Sequence, residues 1–161
     1  LFTNPLADNL RYGEPEAEAN SVEQAAERAR LLDDVRGFPE GFATIVGERG
    51  ITLSGGQRQR TALGRALLVS APVLVLDDAL ASVDNNTAAA ILDSIRTTDG
   101  RTIVMISHQL SAAAACDRIL VMEQGRIVQQ GHHLDLINTP GVYRRLWERQ
   151  QAAEQLDAIA G

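Results

Sequence analysis

The sequence has 161 residues, of which 45% are hydrophobic, and this length predicts one globular domain with a real core. Its 15 basic and 21 acidic residues give a formal net charge of −6, which argues against a nucleic-acid partner, because binding a phosphate backbone requires clustered cations. The single cysteine, Cys116, excludes an internal disulfide, and the longest apolar stretch, Ala66 to Leu76, is shorter than the roughly 20 residues that span a bilayer.

The N-terminal third is predicted to be irregular and then helical. Prolines and glycines favour an irregular segment over residues 1–16, and the chain begins without a methionine or a signal-peptide pattern, as a piece of a longer polypeptide would. A helix from Ser21 to Val35 is predicted, because Ser21 and Gln24 have the spacing of a capping box and apolar residues follow at helical spacing. Glycines then make Ile45 to Leu53 a loop rather than a strand.

The central part of the chain predicts a βαβ unit. Ser54 is expected to cap a helix that continues to Leu67, and Pro72 separates this helix from the strand Val73 to Leu76. The unbroken apolar run is typical of a strand that is buried on both faces of a parallel sheet. A second buried strand, Thr102 to Ile106, follows a helix. The apolar face of that helix is formed by Ala88, Ile91, Leu92 and Ile95.

The C-terminal part predicts a hairpin and two helices. Apolar residues over Arg118 to Met122 and Arg126 to Gln130 flank a glycine-containing turn, which favours two antiparallel strands. Helices are predicted near His132 to Asn138 and over Val142 to Ala158.

The segment Ser54-Gly55-Gly56-Gln57 is a candidate phosphate site. A serine and two glycines at a helix start offer a hydroxyl and unshielded N–H groups, and the helix dipole favours negative charge there. The alternative is that Ser54 and Gln57 form only a capping box, which is a common way to begin a helix. Taken alone, the segment does not separate these two interpretations.

Acidic residues at the end of the first central strand indicate a second candidate site. Ligands bind at the carboxyl ends of strands in open α/β sheets, and Asp77 and Asp78 stand there. One carboxylate could hold Mg²⁺, usually through water, and the other could orient or deprotonate an attacking water. His108 follows the neighbouring strand and could donate to a terminal phosphate at the same edge, although a lone histidine is more often structural. Asp84 could equally be only a helix N-cap.

In this order, these motifs resemble an ATP-binding cassette (ABC) of the exporter type, and the resemblance covers essentially the whole chain. The segments Leu53–Gln57 and Val73–Asp77 resemble the signature and the Walker B strand. Ser82–Asp84 resembles the D-loop, and Ser107–Ser111 resembles the switch-histidine segment. The loop Thr44–Gly50 is similar to the loop through which exporter cassettes contact their transmembrane partner.

The resemblance implies a fold, a division of the chain and a set of roles. It implies an α/β fold, with a partial P-loop NTPase core of parallel strands and a helical subdomain. Residues 1–53 would be an N-terminal segment and helical subdomain, 54–131 the signature helix, core and hairpin, and 132–161 C-terminal helices. Two cassettes would sandwich ATP and Mg²⁺, and Ser54, Gly55, Gly56 and Gln57 would contact the ATP held by the other cassette. Asp77 would hold Mg²⁺, with Asp78 and His108 catalytic and Asp84 in the D-loop.

Two departures from the family pattern shape the functional hypothesis. All 15 basic residues are arginine, so the phosphate-loop lysine of a cassette is not in this sequence, and we expect the chain alone to be inactive. Asp78 stands where the family usually has the catalytic glutamate, which shortens the reach of the carboxylate. These departures favour the degenerate-site half of a heterodimeric exporter on the cytoplasmic face of a membrane, with its signature completing the partner's site.

Two other functions are compatible with the motifs. A soluble ABC ATPase of the translation or DNA-repair type would share the cassette, but we find neither coiled-coil heptads nor a basic face. A non-catalytic fragment, inactive on its own, is the other alternative, since an uncovered strand invites pairing with another chain.

Overall fold

A computed structural model describes residues 1–48, 51–98 and 100–160, with the side chains of 85, 98, 154 and 156–160 left out of the description. The chain forms two compact units, Leu1–Ile106 and Ser107–Gly161, and each is described by itself. The first unit begins with strand β1 (Asn4–Pro5) and three helices, followed by a 3₁₀ turn and strand β2 (Ile45–Val46), which pairs antiparallel with β1. The helices are α1 (Leu6–Arg11), α2 (Ala19–Arg28) and α3 (Leu32–Gly37).

The prediction of an irregular segment over residues 1–16 is wrong, because it contains β1 and α1. The buried side chain of Asn9 orders this segment: its Oδ1 accepts from the N–H of Phe2 at 2.9 Å, and its Nδ2 donates to the carbonyl of Phe2 at 2.9 Å. Leu6 and Leu10 are fully buried on the same helix. Tertiary burial thus outweighs the local preference of the prolines and glycines.

The single helix predicted from Ser21 to Val35 is interrupted. Arg30 adopts a left-handed conformation, with φ of 54°, and the N–H of Leu31 donates to the carbonyl of Ala26 at 2.8 Å. This turn lets Leu31 and Val35 enter the core. The predicted capping box at Ser21 is also wrong, because α2 begins at Ala19 and has no side-chain cap.

The central βαβ unit is formed as predicted. Helix α4 (Gly55–Leu68) leads to β3 (Val73–Asp77), and α5 (Asn85–Thr98) connects β3 to β4 (Thr102–Ile106). The two strands are parallel and aligned from Val73 opposite Thr102 to Asp77 opposite Ile106. The predicted inner face of α5 is confirmed as buried: Ala88, Ile91, Leu92 and Ile95.

The prediction that β3 is buried on both faces is wrong. Burial alternates along the strand, with Leu74 and Leu76 covered while Val75 is 60% exposed. On β4, Val104 is 46% exposed. Among the described residues of this unit, helices therefore cover one face of the strand pair, and the apolar pattern alone did not reveal this.

Helix α4 lies at the centre of the first unit and packs against α1 and α2. Gly64 faces that contact, since a Cβ placed there would lie 2.8 Å from Cδ2 of Leu10. The adjoining core is formed by Leu6, Leu10, Val22, Ala26, Leu31, Val35, Val46 and Leu53. Burial of these side chains from water provides the main stabilisation of the helical part, at about 25 cal/mol per Å² of apolar surface.

The second unit contains α6 (Leu110–Ala114), the hairpin β5 (Ile119–Glu123) and β6 (Arg126–Gly131), and the helices α7 (His133–Asn138) and α8 (Val142–Ala160). The predicted hairpin is confirmed, and its turn residues Gln124 and Gly125 both have positive φ, as a tight hairpin turn requires. Its small core consists of Ile119, Val121, Leu136 and Tyr143.

We predict that Leu10→Ala destabilises the first unit by about 2–5 kcal/mol, because Leu10 is fully buried and the substitution leaves a cavity. Urea unfolding followed by far-UV circular dichroism measures the loss. Leu1→Ala makes the same change at a side chain that is 45% exposed and should leave the midpoint nearly unchanged. Equal effects of the two substitutions would show that Leu10 does not carry the core.

Candidate functional site

The segment Ser54–Gln57 begins α4 in the way predicted from its capping-box spacing. The hydroxyl of Ser54 accepts from the N–H of Gln57 at 3.2 Å, and Oε1 of Gln57 accepts from the N–H of Ser54 at 2.9 Å. The N–H groups of Gly55 and Gly56 find no acceptor among the described residues, as expected in the first turn of a helix. The cap thus leaves two backbone donors and the Ser54 O–H available to an anion.

The capping box is tied to the helical part by Asp34, a residue that sequence reasoning missed. One carboxylate oxygen of Asp34 accepts from Nε2 of Gln57 at 2.9 Å, and the other lies 2.8 Å from Nη1 of Arg60. Both partners of this ion pair are mostly shielded, and the Arg60 side chain is only 18% exposed. Asp34 therefore fixes the glutamine that orients the cap. This role could not be predicted from the sequence, because Asp34 lies 23 residues before Gln57.

A cleft of about 580 Å³ opens beside this ion pair. Charged and polar groups from three helical segments line it: Arg30, Asp33, Asp34, Arg60, Asn86 and Thr87. Both signs of charge are present, so the cleft itself has no clear preference for an anion.

The two predicted aspartates lie where the sequence placed them, at the carboxyl end of β3. Asp77 is the last residue of the strand and its side chain is exposed, with no hydrogen-bond or ion-pair partner in the described part of the chain. Asp78 is half-buried and has a left-handed backbone with φ of 48°, while its N–H donates to the carbonyl of Ile106 at 2.9 Å. The ladder thus continues one residue beyond the strand and fixes the Asp78 backbone.

A run of turns connects Asp78 to α5. The N–H of Ala81 donates to the carbonyl of Asp78 at 3.2 Å, and the N–H of Val83 donates to the carbonyl of Leu80 at 3.0 Å. Asp84 then caps α5 by accepting from the N–H of Thr87 at 2.9 Å. This hydrogen bond holds the pKa of the Asp84 carboxyl below its usual value, because it stabilises the ionised form. The N-cap interpretation of Asp84 is therefore confirmed, and its D-loop role stays a prediction.

The first turn of α4 touches this run of turns directly. A Cβ on Gly56 would lie 2.9 Å from the carbonyl oxygen of Ser82, so only glycine lets the two backbones approach this closely. Gln59 lies one turn further along α4 and contacts the same segment: its Oε1 accepts from the N–H of Ser82 at 2.7 Å. The signature-like segment and the turn after β3 are thus one structural cluster.

Two other predicted parts of the site are His108 and the membrane-contact loop. His108 is exposed and belongs to the second unit, so its predicted proximity to Asp77 stays a prediction. In the loop, Thr44 is buried and its carbonyl accepts from the N–H of Leu6 at 3.0 Å, whereas Ile45 is 48% exposed. The last two residues of the predicted loop, Arg49 and Gly50, lie outside the described residues.

A metal ion at Asp77 would need further coordinating groups from water or from a bound phosphate. Across residues 1–48, 51–98 and 100–160, no group of three or more histidine, cysteine or acidic residues could hold an ion. Mg²⁺ keeps several waters and is commonly bound by one or two carboxylates together with substrate phosphates. The exposed Asp77 carboxylate fits that mode of binding.

In the same described ranges, no helix has the length and apolar character of a membrane span.

Comparison with known proteins agrees with the geometry. The sequence model of the ABC transporter family matches residues 3–81. The chain is 43% identical over 158 residues to the multidrug resistance-like ATP-binding protein MdlA of Escherichia coli, covering 98% of this chain and 27% of that protein. It is 40% identical over 156 residues to ATP-binding cassette sub-family B member 6 of Homo sapiens, covering 96% of this chain and 18% of that protein.

A solved structure supports the same relationship. The structure of a bacterial Atm1-family ABC exporter with ATP bound superimposes with a TM-score of 0.86 at 41% identity, over 93% of this chain and 26% of that one. The chain therefore spans between 18% and 27% of the length of these relatives. The predicted α/β fold with parallel strands and a helical subdomain is confirmed. The chain belongs to the ABC transporter family and has the sequence and fold of an exporter-type nucleotide-binding domain.

Proposed function

We propose that this chain acts in an ABC exporter, where it helps to couple ATP binding and hydrolysis to transport across a membrane. The observation that carries the proposal is the start of α4, where the Ser54 hydroxyl and the N–H groups of Gly55 and Gly56 converge at the positive end of a 14-residue helix. Such a cluster of donors suits a terminal phosphate. The ATP that it contacts is held by a second nucleotide-binding domain.

The aspartates after β3 act on a different ATP, one held by this chain's own side of the assembly. Asp77, which is exposed and unpartnered among the described residues, would hold Mg²⁺, usually through water, and the ion would neutralise phosphate charge when bound. Asp78 orients the attacking water, and His108 donates to the terminal phosphate. Asp84 serves the D-loop as well as capping α5.

By this proposal, the phosphate-loop lysine of the site at Asp77 comes from outside these 161 residues. The chain contains no lysine, so the cation that cradles the β- and γ-phosphates in a phosphate loop is not among its 15 basic residues. Asp77 and Asp78 add negative charge where ATP would bind, which repels the nucleotide unless cations compensate. The isolated chain is therefore inactive by this proposal.

Asp78 makes the site on this side of the assembly slow. An aspartate carboxylate is one methylene shorter than the usual glutamate, and a general base must come within about 2.6–3.2 Å of the water that it activates. The intact Ser54–Gln57 segment completes the faster site of the partner. This assignment gives a heterodimer with one degenerate site.

The contact with a transmembrane domain is assigned to the Thr44–Gly50 loop. Thr44 anchors the loop in the core, and the exposed Ile45 presents an apolar side chain next to it. The assembly would lie on the cytoplasmic face of a membrane. The names of the relatives, a multidrug resistance-like protein and an Atm1-family ABC exporter among them, favour export over translation or DNA repair.

The role of Ser54 can be separated from its role as a cap. In the complete transporter, we predict that Ser54→Asp lowers ATP turnover by about 100-fold or more, because aspartate caps a helix as well as serine does but repels the phosphate. Steady-state ATPase rates and thermal unfolding measure the two effects. Ser21→Ala changes an exposed serine that caps nothing and is the control. Normal turnover in the Ser54→Asp transporter would contradict contact with ATP.

The isolated 161-residue chain should bind ATP with a Kd weaker than about 1 mM, because it lacks the phosphate-loop lysine. Isothermal titration calorimetry with and without Mg²⁺ measures the affinity. Micromolar binding would show that the chain forms a nucleotide site without added cationic residues.

The degenerate-site assignment predicts that Asp78→Glu raises the rate of ATP hydrolysis at this chain's own site by about tenfold or more, because the base gains reach. Total turnover of the complete transporter then rises by up to about twofold, since the partner's site already hydrolyses ATP quickly. Asp93→Glu adds the same methylene on the exposed face of α5 and should leave the rate unchanged. Turnover that does not respond to Asp78→Glu would refute the assignment.

A further inference from the structure

Gln59 bridges the start of α4 and the turn after β3. Its Oε1 accepts from the N–H of Ser82 at 2.7 Å, and its Nε2 donates to the carbonyl of Asp78 at 3.5 Å. The two contacts define the orientation of the side-chain amide. A flipped amide would place Nε2 against the N–H of Ser82 and Oε1 against the carbonyl of Asp78, and neither pair can form a hydrogen bond. One half-buried side chain thus holds both ends of a five-residue turn.

The backbone of Gly56 supports the same contact from the opposite side. The N–H of Ser82 donates to Gln59, and the carbonyl oxygen of Ser82 faces Gly56, where a Cβ would lie only 2.9 Å away. Gly55 is also close, with its Cβ position 3.7 Å from the Ser82 side chain. The Ser82 backbone is therefore seated on the first turn of α4, in a place that fits its size and polarity.

The turn itself has little freedom to move independently. Its first residue, Asp78, is joined to β4 through the carbonyl of Ile106, while Leu80 at its centre and Val83 directly after it are buried. The carbonyl of Asp78 accepts from the N–H of Ala81 as well as from Gln59. A displacement of α4 is therefore passed through Gln59 to the peptide that sets the direction of the Asp78 side chain.

We propose that Gln59 is a positioning residue that holds the turn from Asp78 to Ser82 against the signature helix, so that the two ATP-contacting parts of this chain move together. This inference rests on the proposed function, in which Ser54–Gln57 contacts one ATP and Asp78 the other. Gln59 touches neither ATP. It sets the separation between the groups that do.

The test compares Gln59→Leu, Gln59→Glu and Gln24→Leu in the complete transporter. Gln59→Leu keeps the approximate size but removes both hydrogen bonds, whereas Gln59→Glu keeps an acceptor for the N–H of Ser82. Gln24 is exposed on α2 and has no hydrogen-bond partner in the part of the chain that the structure describes, so Gln24→Leu makes the same chemical change without breaking a contact.

We expect Gln59→Leu to lower kcat for ATP about tenfold while KM stays within about twofold, because alignment is lost but the binding groups remain. Gln59→Glu should recover the rate to within about threefold of the wild type, since the shorter hydrogen bond is retained. Gln24→Leu should match the wild type. A merely structural role would lower the amount of folded protein without this division between kcat and KM.

Three results would overturn the inference. One is a kcat for Gln59→Leu within about twofold of the wild type, and another is a rise in KM that accounts for the whole effect. The third is an equal loss of kcat in Gln59→Leu and Gln59→Glu. The wild-type rate and its loss in Ser54→Asp test the proposed function separately, so a transporter that hydrolyses ATP normally with Gln59→Leu refutes the role of Gln59 alone. An assembly without ATP turnover refutes both.

Discussion

The packing of α4 is the constraint on which the first unit depends. Its buried face requires Gly64 at the contact with Leu10, and its Thr61 is fully buried with the hydroxyl donating to the carbonyl of Gln57 at 2.7 Å. Near its C-terminal end, Arg65 donates to the carbonyl of Asn9 at 2.8 Å and stacks over Tyr12. Helix α4 thus positions both the N-terminal segment and the candidate phosphate site.

This arrangement explains how a small polar segment can be held firmly at the surface. A cap on an isolated helix frays, because its first turn lacks tertiary support. In this chain the carboxylate of Asp34 accepts a hydrogen bond from the side chain of Gln57, and the carbonyl oxygen of Ser82 packs against Gly56. The donors of the first turn therefore keep a fixed direction before any ligand arrives, which reduces the ordering that binding would require.

The sequence revealed the elements whose pattern is local. The capping box at Ser54, the inner face of α5 and the parallel strands all follow from short-range periodicity. The break at Arg30 was missed because a left-handed arginine is favoured only by the burial of Leu31 beyond it. Residues 1–16 were missed for a similar reason, since Asn9 orders them through contacts that no spacing rule contains.

The candidate site was predictable by residue type but not by connection. Local sequence signals, namely charge, neighbouring glycines and the end of a strand, identify Ser54, Asp77 and Asp78 as candidates. Asp34 and Gln59 cannot be identified in this way, because their partners lie 19 to 26 positions away. Such contacts depend on how separate elements pack, which a single sequence does not encode in any short window.

The left-handed backbone at position 78 suits an aspartate better than a longer side chain. Aspartate and asparagine tolerate φ near 48° better than longer side chains do, because a short polar group can bond locally there. A glutamate at this position would gain reach and lose conformational ease, with a strain on the order of 1 kcal/mol. Under the proposed degenerate site, the aspartate therefore combines a shorter reach toward the attacking water with a less strained turn.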